Sequence, residues 1–335
     1  MASQLLGRQV ARVEELGGGR NSRVYRVDLG ATESVAVKVY ARPDRLGVEF
    51  SALEFLWSHG VRTIPKPLAA DPELGCAAYQ FIVGERVLPA GVSDGDIDAA
   101  VSFLGALRDL GQCPDSQTLP PASEACLTLE GIFGSIEQRL DRFAGLPSKG
   151  EPWHSLHRFL SEDFLPELET VRRWSEERDR SLWDNPLPAD RKTLSPSDFG
   201  FHNALRQPDG TLFFLDFEHF GWDDPAKMAS DFLLHPHESM AIGYNLKQRF
   251  LAQLLARFDS SSSWLEERIR LVMPLYALKW SVILLNEFIP AHLARRRFAG
   301  NSSLGGEELL LPQLQKARAM LRCSQEARTR IHQYN

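Results

Sequence analysis

The sequence predicts an α+β chain in which a small antiparallel-sheet lobe precedes a larger, mainly helical lobe. Three observations carry this. Val24-Tyr25-Arg26-Val27-Asp28-Leu29 alternates with period two, and Val35-Ala36-Val37-Lys38-Val39-Tyr40 is a second β-rich run. A short turn-like stretch, Gly30 to Glu33, joins them as an antiparallel hairpin. From Asp44 the period changes: Leu46, Phe50, Leu53 and Trp57 recur at i, i+4, i+7 and i+11, the stripe of an amphipathic helix. Beyond Gly84 the apolar spacing is helical over most of the chain.

In chain order, Val10 to Leu16 is a short apolar segment that runs into Gly17-Gly18-Gly19. The helix expected over Asp44 to His59 has Gly60 as its C-cap. Pro65 and Pro67 then enforce a loop. Ala77 to Val83 is a further apolar run, and the domain boundary is expected at its end: residues 1–84 as the sheet lobe, residues 85–335 as the helical lobe. Helices are expected over Ile97 to Leu110, Leu156 to Trp174, Leu246 to Phe258 and Trp264 to Asn286. Between them, Asn203 to Arg206 and Thr211 to Phe217 read as short strands around the turn Gln207-Pro208-Asp209-Gly210.

A length of 335 residues suggests about two domains and allows sizeable cores. The net charge of -6 argues against a nucleic-acid partner. Cys76, Cys113, Cys126 and Cys323 form no C-x-x-C, which fits a reducing compartment and no structural zinc. No basic segment followed by a long apolar run opens the chain, so a cytoplasmic protein without a secretory signal is expected. The apolar stretch Leu271 to Leu285 is broken by Pro274 and Lys279 and is too short to span a bilayer, so no membrane partner is expected. The sequence carries no signal for an oligomeric state.

The chemistry is concentrated in Ser195-Pro196-Ser197-Asp198-Phe199-Gly200-Phe201-His202-Asn203 and in Leu215-Asp216-Phe217-Glu218. Asn203 follows Asp198 by five, and Asp216 arrives on the next expected hairpin. Phosphoryl transfer from a nucleotide needs these groups: one carboxylate meets the attacking hydroxyl, and an amide with a second carboxylate holds magnesium against the phosphates. Upstream lie two more features. Gly17 to Ser22, with Gly18, Gly19, Asn21 and Ser22, sits between two strands, where glycines let backbone N–H groups approach phosphate oxygens; a plain hairpin turn would look the same. Lys38 stands inside an apolar strand, where an unpaired charge is costly to bury. Either it faces outward or it pairs with a helix carboxylate, Glu49 or its rival Glu54.

The order of these features resembles the aminoglycoside phosphotransferase and choline kinase-like family, small-molecule relatives of the protein kinases. The resemblance rests on Gly17 to Tyr25, on Val35 to Val39 with Lys38, and on Glu49-x-x-x-Leu53-x-x-Leu56 followed by Gly60 and Ile64-Pro65-Lys66-Pro67. It continues with Ser197-Asp198 to Asn203, Leu215 to Glu218, and Gly221-Trp222-Asp223-Asp224-Pro225 before Ser230-Asp231-Phe232. From Met240 onward only helices are legible. The resemblance implies a two-lobed protein kinase-like fold, ATP or GTP, magnesium, and a small hydroxylated substrate. Asp198 would be the catalytic base, Asn203 and Asp216 the metal ligands, Lys38 and Glu49 the phosphate-positioning pair, and Asp231 a brace of the catalytic loop. The segment Gln80 to Val83, with Ile82, would hold the nucleotide base through backbone groups.

Two departures stand out. Pro196-Ser197 replaces the family's His-Gly before the catalytic Asp, and Gly200 replaces a histidine two residues after it. The first leaves open a catalytically weak or inactive, pseudokinase-like nucleotide-binding regulator. A protein kinase is disfavoured, because only a short segment separates Asp216 from Asp231 and no Ala-Pro-Glu follows. His202 is expected either in the site or bonded to backbone. His235-Pro236-His237 is not expected to complete a metal site. Arg295 to Arg297 fits a solvated helix end, and Trp153, Trp174, Trp183 and Trp280 fit the core.

Overall fold

The computed structural model describes residues 1–18, 22–147, 150–178, 181–259, 262–290, 292 and 309–329. Gly19 and Asn21 of the glycine loop, and Arg295 to Arg297, lie outside the described residues.

Five antiparallel strands open the chain: β1 (Arg12–Gly18), β2 (Ser22–Asp28), β3 (Ser34–Tyr40), β4 (Pro67–Asp71) and β5 (Cys76–Gln80), in the order β1-β2-β3-β5-β4. A five-residue helix α1 (Ala2–Leu6) precedes them. The period of two in β3 sorts its two faces. Val35 and Val37 join Val27, Cys76 and Ala78 in a small core under Ala2, Leu5 and Leu6 of α1. Tyr40 goes to the other side and joins the main core with Leu46, Leu53 and Leu56 of α2 (Pro43–Ser58). Lys38 shares the Tyr40 face. After α2, Gly60 takes φ +85, a left-handed conformation open to glycine at no steric cost.

A short strand β6 (Glu85–Arg86) leads into the helical lobe, which begins with α3 (Asp94–Leu110). A capping box between Ser93 and Asp96 starts α3. Next come α4 (Leu129–Leu140), α5 (Trp153–Arg158), α6 (Leu165–Arg178) and α7 (Ser181–Asp184). The helix expected over 156–174 is interrupted by a π-type turn at Phe159–Phe164. Pro166 lies two residues beyond it and has no N–H to give to the preceding turn.

The middle of the chain is a small platform. Strand β7 (Thr193–Ser195) pairs with β10 (Gly221–Asp223), and β6 pairs with β8 (Ala204–Arg206), which pairs with β9 (Leu212–Phe214). Asp216 therefore lies beyond the strand rather than at its end. Helix α8 (Pro225–Leu234) follows, capped by Asp224, and α9 (Tyr244–Phe258) packs on α3. Helix α10 (Trp264–Leu284) runs 21 residues straight through Pro274, and α11 (Leu310–Thr329) packs along it. The sequence reading made this stretch too short for a bilayer. In fact Trp264–Phe288 is long and apolar enough by length and composition, with 78% of its most apolar window buried inside the protein. Packing against α4, α8 and α11 outweighs the backbone hydrogen bond that Pro274 removes, a loss worth about 3 kcal/mol. Lys279, which was expected to interrupt it, is buried against Glu124 at 3.3 Å.

Candidate functional site

The site is assembled where the sheet lobe meets the platform. Lys38 is only 7% exposed. Its Nζ lies 2.7 Å from Glu49 Oε2 on α2 and 2.8 Å from Asp216 Oδ1, with Glu218 Oε2 at 3.6 Å. Glu49, not Glu54, is thus the partner, and the outward-facing alternative for Lys38 does not hold. Burial disfavours the ammonium, but the carboxylates of Asp216, Glu49 and Glu218 outweigh it and hold Lys38 well above its usual range. Burial pushes the Glu49 carboxyl up, against the pull of Lys38. Glu49 is fully engaged: Tyr40 donates to Oε2 at 2.7 Å and the Phe217 backbone N–H to Oε1 at 3.2 Å. Arg45, at the start of α2, donates to the Glu218 carbonyl at 3.0 Å. Helix α2 is therefore fastened to the Asp216 segment at two points.

The loop 195–203 owes its form to alternating aromatics. Phe199 and Phe201 are buried, Phe199 against Phe103, Phe214 and Phe232, and Phe201 against Phe232. Ser197 takes φ +68 and Asp216 φ +66, left-handed conformations that non-glycine residues seldom adopt. Such strain recurs at functional sites. Asp198, by contrast, is 42% exposed. Asn203 Nδ2 donates to the Asp198 carbonyl at 2.9 Å, and the Asn203 carbonyl accepts from the Leu215 N–H at 2.8 Å. Asp198, Asn203, Asp216, Lys38 and Glu49 are thereby joined through successive short contacts.

The loop is braced from behind. Lys227 on α8 donates to Ser197 Oγ at 2.8 Å and pairs with Asp223 at 2.7 Å and Asp231 at 3.2 Å. Burial raises the Asp231 carboxyl to about 6, against the pull of Lys227 and Lys279. Ser197, which stands where the family has glycine, is thus part of the brace. Gly200 also has a steric reason. A Cβ there would meet Met240 Sδ at 2.7 Å and His202 Nδ1 at 2.8 Å.

His202 Nε2 is 3.0 Å from Asp198 Oδ1, so this histidine is in the site and not on backbone. His235 corrects the sequence reading more sharply. Its Nε2 lies 3.3 Å from the same oxygen, so Asp198, His202 and His235 form one cluster. Burial pushes the Asp198 carboxyl up, but hydrogen bonds from His202 and His235 outweigh it and hold it well below the usual carboxylate range.

Of the other expected residues, Gly18 ends β1 and Ser22 starts β2, on either side of the undescribed loop. Gln80 ends β5, where its side chain accepts from the Lys66 N–H at 3.3 Å, and Ile82 is buried in the linker beyond. Sequence reasoning missed Tyr40 and Lys227, gave Glu218 no place in the Lys38 cluster, and set His235 aside. Tyr40 was accessible, since it sits two residues from Lys38 on the same strand face. The donors around Asp216 are oxygens: Glu49, Asp216 and Glu218 offer carboxylates within 4.8 Å of one another. Asn203, which donates with its nitrogen, keeps its amide oxygen. That is the donor chemistry a magnesium ion prefers.

Residues 12–271 match the model of the phosphotransferase enzyme family that includes the APH proteins. No curated protein sequence matches the chain. Among solved structures, the chain is similar to a spectinomycin phosphotransferase in complex with ADP and spectinomycin, at 12% identity, covering 97% of this chain and 95% of that one, with a TM-score of 0.65. It is also similar to a choline/ethanolamine kinase family protein from Mesorhizobium loti (16% identity, 95% and 92% coverage, TM-score 0.56). A choline kinase from Streptococcus pneumoniae aligns at 17% identity, 96% and 95% coverage, with a TM-score of 0.55. At these identities the likeness shows the fold, a two-lobed kinase-like one. With the family model spanning both the sheet and the catalytic platform, the chain belongs to the phosphotransferase enzyme family, as a phosphotransferase with a hydroxyl acceptor.

Proposed function

We propose that the protein transfers the γ-phosphoryl group of ATP or GTP to a hydroxyl of a small molecule such as a sugar, amino sugar or amino alcohol. The observation that carries this reading is the run of contacts from Asp198 to Asn203, from Asn203 to the backbone of Leu215 next to Asp216, and from Asp216 through Lys38 to Glu49. Asp198, exposed and ionised, orients the acceptor hydroxyl and takes its proton. Lys38 meets the non-transferred phosphates, and Gly18, Ser22 and the linker around Gln80 and Ile82 line the nucleotide. Asn203 and Asp216 would hold magnesium, which when bound neutralises charge on the phosphates. The rest is positioning and charge. We place the division between the lobes at residues 84 and 85, where β5 ends and β6 leaves to pair with β8. ADP in the similar spectinomycin phosphotransferase favours an adenine nucleotide.

The experiment is a screen. Purified protein with magnesium ATP, and in parallel magnesium GTP, is offered pools of sugars, amino sugars and amino alcohols, and products are read by mass spectrometry. At least one acceptor should gain a phosphoryl group. Nucleotide binding without transfer to any pool would instead support the regulator.

A further inference from the structure

Asp198 is held by histidines from two different elements. His202 comes from the catalytic loop itself, and His235 from the end of α8. His202 Nε2 is hydrogen-bonded to Oδ1 at 3.0 Å, and His235 Nε2 lies 3.3 Å from the same oxygen. Both are more than nine-tenths buried, with side chains 7% and 9% exposed. Their rings lie face to face, centroids 3.9 Å apart and planes within 10°. The Trp280 ring stands edge-on to His235 at 4.8 Å, and its indole N–H is held by Asp231 at 3.1 Å. The ring orientations are therefore set by packing.

The proton positions follow from the same geometry. The His237 backbone N–H donates to His235 Nδ1 at 3.2 Å. A nitrogen that accepts carries no proton, so neutral His235 keeps its proton on Nε2, toward the carboxylate. His202 Nδ1 is buried without a hydrogen-bond partner among the described residues, so the proton of this ring also belongs on Nε2. Two histidines and a carboxylate are also a common metal donor set. The proton positions argue against it here: a ligating Nε2 must give up its proton, and His235 Nδ1, which accepts from the His237 N–H, has no room to carry that proton instead.

We propose that His235 and His202 are positioning residues for phosphoryl transfer: their two Nε2–H groups clamp Oδ1 of Asp198 and leave Oδ2 to meet the acceptor. The inference rests on the kinase reading for its purpose, though not for its geometry. In the step, the bond from the acceptor oxygen to phosphorus forms as the bond to the nucleoside diphosphate breaks. The hydroxyl proton passes to Oδ2, and the histidines keep theirs. Without the clamp, a half-exposed carboxylate samples several rotamers, and misplacement by an ångström costs roughly 100-fold in rate.

The test has two arms. In ¹⁵N-histidine-labelled protein at neutral pH, two-bond ¹H–¹⁵N spectra should show His202 and His235 as Nε2–H tautomers, identified by His202→Phe and His235→Phe. Asp198→Ala should move both Nε2 signals. A proton on Nδ1 of either ring, or signals indifferent to Asp198, would overturn the clamp. The kinetic arm uses magnesium ATP and an acceptor found in the screen. His235→Phe keeps the stacking and loses the donor, so kcat should fall roughly 10- to 100-fold while both KM values stay within about twofold. His235→Gln restores an N–H and should recover most of the loss. Parent-like kinetics in His235→Phe, or no recovery in His235→Gln with both variants folded, would also overturn it. A parent that phosphorylates nothing defeats the kinase reading alone, because the tautomers report on the clamp independently.

Discussion

Lys38 concentrates the energetics of the site in one residue. It is the cation among Glu49, Asp216 and Glu218. Removing one partner of a buried ion cluster leaves the others uncompensated, at about 3–5 kcal/mol. Lys38→Met should therefore lower the unfolding free energy by about 3 kcal/mol, and added magnesium should regain part of it. Chemical denaturation with and without magnesium measures both, and an unchanged midpoint would show that the lysine does not hold these carboxylates together. Asp198→Asn keeps size and loses the acceptor of the proton, so kcat should drop about 10²- to 10⁴-fold while calorimetry finds nucleotide affinity unaltered. Turnover at the parent rate would remove Asp198 from the chemistry. These residues were legible because phosphoryl transfer ties Asp198 to Asn203 by spacing and sets Lys38 inside an apolar strand. His235 was not, because only the path of α8 brings it to Asp198.

At the scale of elements, burial on every side hid one helix. Helix α2, with one buried stripe, was legible to within a residue or two. Helix α8 is buried from Pro225 to Leu233, and its polar pair, Lys227 and Asp231, faces the catalytic loop rather than solvent, so no exposed stripe marks its period. Glu124 shows how a loop joins such elements. It pairs with Arg139 on α4 and with Lys279 on α10. Burial raises its carboxyl, but Lys279 and Arg139 outweigh that and bring it from 4.5 down to about 2. A depressed acid stabilises the fold above its unfolded pKa, and that contribution is lost as pH falls through the folded one. The window is therefore about pH 4.5 down to 2. Because the side chain is 52% exposed, the contribution is screened to about 1 kcal/mol. Glu124→Gln should be less stable by that amount at pH 7 and lose less on acidification across the window. Urea unfolding at pH 7 and pH 3 decides this, and parallel losses in parent and variant would remove Glu124 as the cause. The same scale bears on regulation. The left-handed residue is Asp216 rather than Glu218, and Asp216 is already tied to Lys38. Phosphatase-treated protein should therefore keep its full activity. Activity that appears only on phosphorylation between Phe217 and Asp231 would contradict this.

At the scale of the molecule, the relation of the two lobes passes through a few residues of linker. Gly84 lies between β5 and β6, and a Cβ there would meet the Arg206 carbonyl oxygen at 2.8 Å, its carbon at 3.1 Å and Leu205 Cβ at 3.3 Å. Two of these are backbone atoms of β8, which cannot swing aside as a side-chain tip does. Strand β8 begins at Ala204, directly after Asn203. Relief of the clash must move either the linker, and with it the sheet lobe, or β8, and with it Asn203. Both routes change how the sheet lobe meets the catalytic loop, and hinge changes of this kind alter kcat and KM together. Gly84→Ala should weaken nucleotide binding and lower kcat, each roughly 10-fold. Gly134 in α4 supplies the control, because a Cβ there meets nothing within 4 Å and its backbone is helical. Gly134→Ala should raise stability by about 0.5–1 kcal/mol through helix propensity and leave the kinetics unchanged. Steady-state kinetics and denaturation of both variants separate the two effects. Gly84→Ala with parent kinetics would mean that the linker yields without carrying β8, and that the close approach at Gly84 does not set the geometry between the lobes.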